Sequence, residues 1–248
     1  MNDQQSRKPV IPGWLNRFEP LLLIMLAAFS GGLVLFLQLT GEVLEGSTRK
    51  FDEAILLALR QPDDLARPIG PAWLTHAFSD ITSLGGTTVL TLLTALVTIY
   101  LLLDRRRSIA LFILAAVLGG WLLSTMLKLG VARPRPDIVP HLVEVHDLSF
   151  PSGHAMVSAV TYLTLGALLS RTQAYRSTRI FMIAVAILLT LMIGTSRVFL
   201  GVHFPTDVLG GWCAGATWAL GCWMIARRYI LITPRTRDPE PTNARSSD

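Results

Sequence analysis

Six runs of this 248-residue chain, 21–41, 81–103, 108–127, 155–170, 180–196 and 208–226, contain no charged side chain. Most approach the roughly 20 residues that cross about 30 Å of hydrocarbon as a helix. The pattern predicts six membrane helices. The fourth and fifth runs are short, which is accommodated if their helices continue into the polar motif residues beside them or if the site lies slightly inside the interface. Between the first two runs, Phe51, Ile55, Leu56 and Leu59 recur at helical spacing before Pro62, Pro68 and Pro71. That segment predicts an amphipathic helix lying at the membrane interface. It would cover the outer edge of the bundle, with a lid or lipid guide as the alternative. The expected fold is therefore all-α: a six-helix transmembrane bundle with one extra amphipathic interfacial helix between the first and second spans. Residues 1–20 read as a cytoplasmic N-terminal tail and 21–80 as the first transmembrane helix with the outer segment. Residues 81–226 read as a core of five transmembrane helices, and 227–248 as a cytoplasmic C-terminal tail.

Composition supports this reading, with 51% hydrophobic and only 16% charged residues and a mean hydropathy of +0.49. A pI near 9.7 would suggest nucleic acid in a soluble chain, so the position of the charge matters. With six spans both termini share one face. The tails with 104–107 and 171–179 hold 14 of the 22 Lys and Arg residues, which puts that face in the cytoplasm by the positive-inside rule. Topology thus accounts for the charge, and no basic patch interleaved with aromatics points to nucleic acid. The first run is long, starts after a polar tail and lacks a small-x-small site, so it reads as a retained helix and not as a secretory signal. Cys213 and Cys222 lie about 13 Å apart along one helix at 1.5 Å per residue, too far for a disulfide. Gly211 and Gly215 form a G-x-x-x-G in the sixth span. Packing within the bundle is the reading it favours, and a homodimer through that pair is the alternative.

The reactive polar residues gather at the ends of these runs: Lys128 with Arg135 and Pro136, Pro151 to His154, and Ser196-Arg197 followed by His203 and Asp207. Charge is costly inside a bilayer, so cations and histidines collected at helix mouths indicate a site at the lipid surface, here the outward one. Ser152 is suited to cap the helix that starts at Gly153, and the free amides of a helix start bind anions. His203 and Asp207 are four apart, with Pro205 suited to a first helical turn, so the carboxylate can orient the imidazole. Orientation of that kind is what a nucleophilic histidine requires, with Asp207 as a simple helix cap the less favoured alternative. Lys128, Arg135 and Arg197 could converge on one anion, and the planar fork of arginine suits phosphate. Arg133 could be a fourth, with a solvated loop residue the favoured reading.

Together these three motifs resemble the signature of the type 2 phosphatidic acid phosphatase superfamily of membrane lipid phosphatases, whose core is shared with the vanadium haloperoxidases. Lys-x6-Arg-Pro, Pro-Ser-Gly-His and Ser-Arg-x5-His-x3-Asp all occur, in order, over about residues 81–226. The resemblance implies that His203 attacks phosphorus to give a phosphohistidine, that Asp207 orients it, and that His154 serves as acid and then base. It implies further that Lys128, Arg135, Arg197, the Ser152 side chain and the Gly153 backbone hold the phosphoryl oxygens. Three cations can take the place of a metal, so no cofactor and no metal are expected. His141, Glu144 and His146 are spaced too irregularly for one.

The expected substrate is a lipid phosphate or diphosphate, with a polyprenyl diphosphate such as undecaprenyl diphosphate first. Phosphatidylglycerophosphate, phosphatidate and lipid A phosphates are alternatives. A phosphotransferase would use the same residues, and an anion transporter would need ionisable groups in mid-span, which the six runs lack.

Overall fold

The computed structural model describes residues 20–145 and 147–229. His146 of the outer-loop group, residues 1–19 and residues 230–248 lie outside them. Among the described residues, eight helices and one hairpin follow in chain order: α1 Pro20–Glu45, α2 Arg49–Ala58, β1 Arg60–Gln61, β2 Asp64–Pro68, α3 Ala72–Ser83, α4 Thr87–Leu103, α5 Arg107–Val131, α6 Gly153–Thr172, α7 Arg176–Phe199 and α8 Pro205–Tyr229. Five of them, α1, α5, α6, α7 and α8, are each long and apolar enough to cross a membrane. The fourth and fifth predicted spans do gain length from their motifs, since α6 opens at Gly153 and α7 runs through Ser196 and Arg197 to Phe199. The second is broken. α3 and α4 qualify together and bend by 44° at Leu84–Gly86, because two successive glycines interrupt the run.

α6 is the central helix. It packs on α5, α7 and α8, while α1 lies against α8. The leucines and isoleucines of α1, α4, α5 and α7 that remain exposed, such as Leu35, Leu92, Leu118 and Ile180, form the outer surface that lipid covers. In a bilayer this arrangement satisfies every backbone group inside each helix and leaves apolar side chains outside. Gly211 and Gly215 serve the internal contact: α6 occupies their face, with Ser152 O, Ala155 and Met156 directly against them. The G-x-x-x-G thus serves packing within the chain.

The amphipathic helix exists as α2, and its Ile55 and Leu56, with Leu59 at its C-cap, pack with Ala155, Val198, Phe204 and Val208 of the bundle. Phe51 is the exception and points outward. A short antiparallel hairpin, β1 paired with β2, follows it, which apolar periodicity did not signal. Gly201, at φ +76° in the α7–α8 turn, lets the chain reverse where Arg60 packs against the turn. The Arg60 side chain is buried and donates to Phe199 O at 2.9 Å, satisfying a carbonyl at the end of α7. Burial lowers its pKa.

Candidate active site

Alternation of the chain brings the C-terminal ends of α5 and α7, the N-terminal ends of α6 and α8, and the α3–α4 break to one end of the bundle. There they surround a cavity of about 740 Å³ lined by Lys128, Arg135, Asp147, Gly153, His154, Arg197 and His203. The second wall is rich in hydroxyls: Ser79, Thr82, Ser83, Thr87 and Thr88 from the α3–α4 break, with Ser124 and Thr125 from α5.

His203 is buried in the α7–α8 turn. Its Nδ1 lies 3.3 Å from Ser149 Oγ and 3.4 Å from Asp207 Oδ2, and Ser149 Oγ donates to that same carboxylate oxygen at 2.5 Å. Asp207 Oδ2 also accepts the Phe204 amide at 2.8 Å, so the carboxylate caps the turn and orients the ring at once. With acceptors on the Nδ1 side, the proton sits there and the lone pair is on Nε2. Arg135 Nη1 approaches that nitrogen at 3.2 Å. Burial first, then Arg135, Arg197 and Lys128, push the His203 pKa well below 6.5. The ring is therefore a neutral base with its free nitrogen aimed into the cavity, which is the form a nucleophile requires.

The cations come from three elements. Pro134 and Pro136 hold the stretch between α5 and α6 extended, and Arg135 from it donates to Val202 O at 2.6 Å and Asp147 O at 2.7 Å. Lys128, near the end of α5, donates to Leu148 O at 2.8 Å. Arg197 is buried on α7 and donates to Thr82 Oγ1 of α3 at 3.0 Å. The Asp147 carboxylate binds both Lys128 and Arg135. Burial would raise the Asp147 pKa, but hydrogen bonds and charge from Lys128 and Arg135 outweigh it and hold the group well below the usual carboxylate range. An anion entering the cavity has to share or displace that carboxylate.

His154 lies on the first turn of α6, beside the α3–α4 break. A Cβ built on Gly86 would come within 4.0 Å of its Nε2, and one on Gly85 within 3.5 Å of its Cδ2. Glycine at both positions lets the break come close to this ring. Ser152 departs from the expected phosphate contact. It is fully buried and its Oγ accepts the Ala155 amide at 3.5 Å, so it caps α6 instead of facing the cavity. The other seven predicted residues converge, with Asp207 behind His203 and the remaining six on the cavity wall.

Arg133 corrects a second expectation. It is not solvated but bridges two buried carboxylates, Asp52 and Asp207, at 2.8 and 2.7 Å. Ser149 and Thr82 join the site through Asp207 and Arg197, 58 and 115 positions away, and Asp147 through Lys128 and Arg135. His141 contacts Pro136 O through Nε2 at 2.7 Å.

Comparison with known proteins bears on the family and the fold. The PAP2 superfamily pattern matches residues 108–230. The chain is 34% identical over 184 residues to phosphatidylglycerophosphatase B of Bacillus subtilis (strain 168), covering 73% of this chain and 85% of that protein. It is 34% identical over 108 residues to an undecaprenyl-diphosphatase of Sulfolobus acidocaldarius, covering 42% of this chain and 47% of the relative. The crystal structure of a transmembrane PAP2-type phosphatidylglycerolphosphate phosphatase from Bacillus subtilis superposes with a TM-score of 0.75 at 29% identity, covering 85% of this chain and all of that one. With the three motifs, the helical bundle and these relatives in agreement, this chain belongs to the PAP2 superfamily, as a multi-pass membrane phosphatase.

Proposed function

We propose that this protein removes the terminal phosphate of a lipid phosphate at the outer membrane surface, without a metal, through a phosphohistidine on His203. The observation that carries the reading is the orientation of His203, with Nδ1 held by Ser149 and Asp207 and Nε2 in a cavity shared with three cations. In the first step Nε2 bonds to phosphorus as the ester P–O bond breaks, and His154 gives its proton to the departing oxygen. In the second His154 takes a proton from water, whose oxygen bonds to phosphorus as the Nε2–P bond breaks. Lys128, Arg135 and Arg197, with the Gly153 amide at the start of α6, hold the equatorial oxygens. Stabilising charge there is most of what phosphoryl transfer requires from a protein.

The leaving group departs on the side of His154, against the α3–α4 break. That wall carries hydroxyls, and among the described lining residues the only Lys and Arg are the three assigned to the first phosphoryl group. A hydroxylated linker suits it better than a second phosphate. The similarity to the Bacillus phosphatase, over most of its length, supports the same choice. Phosphatidylglycerophosphate is therefore placed ahead of the polyprenyl diphosphate that the sequence put first. The one-sided distribution of Lys and Arg supports an outward site with both termini in the cytoplasm.

The test is phosphate release in detergent with chelator from phosphatidylglycerophosphate, phosphatidate, undecaprenyl diphosphate and a lipid A phosphate. Phosphatidylglycerophosphate should give the highest kcat/KM, and His203→Ala should be inactive while still folding. Retained release in that variant would refute the nucleophile, activity that needs an added divalent ion would refute the metal-free reaction, and labelled phosphate appearing only on an acceptor other than water would make the protein a transferase.

A further inference from the structure

Asp52 on α2 and Asp207 on α8 are both completely buried, and one guanidinium holds them together. Arg133 Nη2 donates to Asp52 Oδ2 at 2.8 Å, while Nη1 donates to Asp207 Oδ1 at 2.7 Å and to Thr206 Oγ1 at 2.8 Å. Its guanidinium carbon stands 4.2 Å from the centre of the Phe204 ring. Asp52 completes the ring of contacts by accepting Thr206 N at 3.0 Å and Thr206 Oγ1 at 2.6 Å. The two arginines flanking Pro134 thus diverge: Arg135 enters the cavity in front of His203, and Arg133 passes behind Asp207. In extended chain, residues two apart would share a side, so the separation depends on what each guanidinium binds.

Each Asp207 oxygen now has a distinct duty. Oδ2 faces Ser149, His203 and the Phe204 amide, and Oδ1 is held by Arg133. Fixing Oδ1 fixes the plane of the carboxylate, and with it the direction in which Oδ2 holds the imidazole. Asp52 fixes Arg133 in turn. Its helix lies outside residues 108–230, the part matched by the family pattern.

We infer that Arg133 and Asp52 are positioning residues that aim Asp207, and through it His203, so that the amphipathic helix α2 takes part in setting the geometry of the nucleophile. The inference rests on the phosphohistidine reading above. Neither residue lines the cavity, so its loss should act on kcat and leave phosphate binding in place.

The test uses the full-length protein in detergent, reading kcat, KM, the inhibition constant of inorganic phosphate and the thermal midpoint for Arg133→Gln, Arg133→Lys, Asp52→Asn and the double variant Asp52→Asn with Arg133→Gln. Arg133→Gln should lower kcat roughly 100-fold, the scale set by small misplacements of reacting groups, with KM and the phosphate inhibition constant within about threefold of wild type. Arg133→Lys keeps the charge but not the fork, and should fall between the two. If Arg133→Gln does not accumulate, Arg133→Lys carries the same comparison.

Arg133→Gln leaves both Asp52 and Asp207 as buried carboxylates without their cation, so adding Asp52→Asn should recover part of the lost thermal midpoint. It should not restore kcat. Recovery of kcat together with the midpoint would show that the pair only holds the fold and would overturn the inference. So would wild-type kcat in Arg133→Gln when His203→Ala is inactive, which leaves the phosphohistidine reading standing. Activity in His203→Ala would overturn that reading and the inference with it.

Discussion

Gly211→Ala adds one methyl group and should disturb both stability and turnover. A Cβ at this position on α8 would lie 2.7 Å from Ser152 O, 2.9 Å from Ala155 Cβ and 3.1 Å from Met156 N. Ordinary contact begins near 3.4 Å, so α6 and α8 must part by roughly 0.7 Å. Two of the three neighbours are backbone atoms of the first turn of α6, where Met156 N already donates to Ser152 O at 2.9 Å, so no side chain can turn aside. Overpacking of this kind costs about 1–3 kcal/mol, offset by the roughly 0.5–1 kcal/mol that alanine gains over glycine within a helix. A net loss on the order of 1–2 kcal/mol is expected. The displaced elements carry His154 on one side and Asp207 on the other, so kcat should fall about 10- to 100-fold. Thermal unfolding followed by tryptophan fluorescence in detergent, together with phosphate release, measures both effects. Gly31→Ala is the control, because nothing lies within 4 Å of its Cβ position; it should be neutral or slightly stabilising. A Gly211→Ala variant as stable and active as the Gly31→Ala control would refute the close approach of α6 and α8.

Two other outcomes follow from the charges around the cavity. Asp147→Asn removes the carboxylate that binds Lys128 and Arg135, and inorganic phosphate should then inhibit at several-fold lower concentration; weaker inhibition would show that Asp147 assembles the cradle and does not compete for it. The folded-state pKa of His203 lies well below 6.5, so below about pH 6.5 the unfolded chain binds a proton that the folded one does not. Stability contributed by the neutral ring is present above that pH and is lost as pH falls, by up to about 1.4 kcal/mol per pH unit for one group. His203→Gln should make the thermal midpoint less sensitive to pH between about 6.5 and 5, and an unchanged slope would contradict a neutral, buried His203.

Much of this protein was legible along the chain because a membrane imposes local rules. A helix must satisfy its own backbone in lipid, so each span declares itself as an uncharged run, and reactive polar groups are driven to the ends of those runs. Lys128, Arg135, His154, Arg197, His203 and Asp207 therefore stand out as candidates at the ends of those runs, and the amphipathic helix shows in the periodicity of Ile55, Leu56 and Leu59. Tertiary structure decided what depends on partners remote in sequence. Arg133 reads as one more loop cation until the fold places Asp52, 81 positions away, and Asp207, 74 positions away, on either side of it. Ser149 gains its place in the chain to His203 only when α8 delivers Asp207, and Thr82 meets Arg197 only because the second span bends at Gly85 and Gly86. Ser152 shows the same division: its sequence suits either a cap or a phosphate contact, and the direction of one hydroxyl, turned to Ala155 N, selects the cap. Hydrophobic pattern sets which segments enter the membrane, whereas the direction of a polar side chain is set by whichever buried group lacks a partner, and that is known only once the helices have packed.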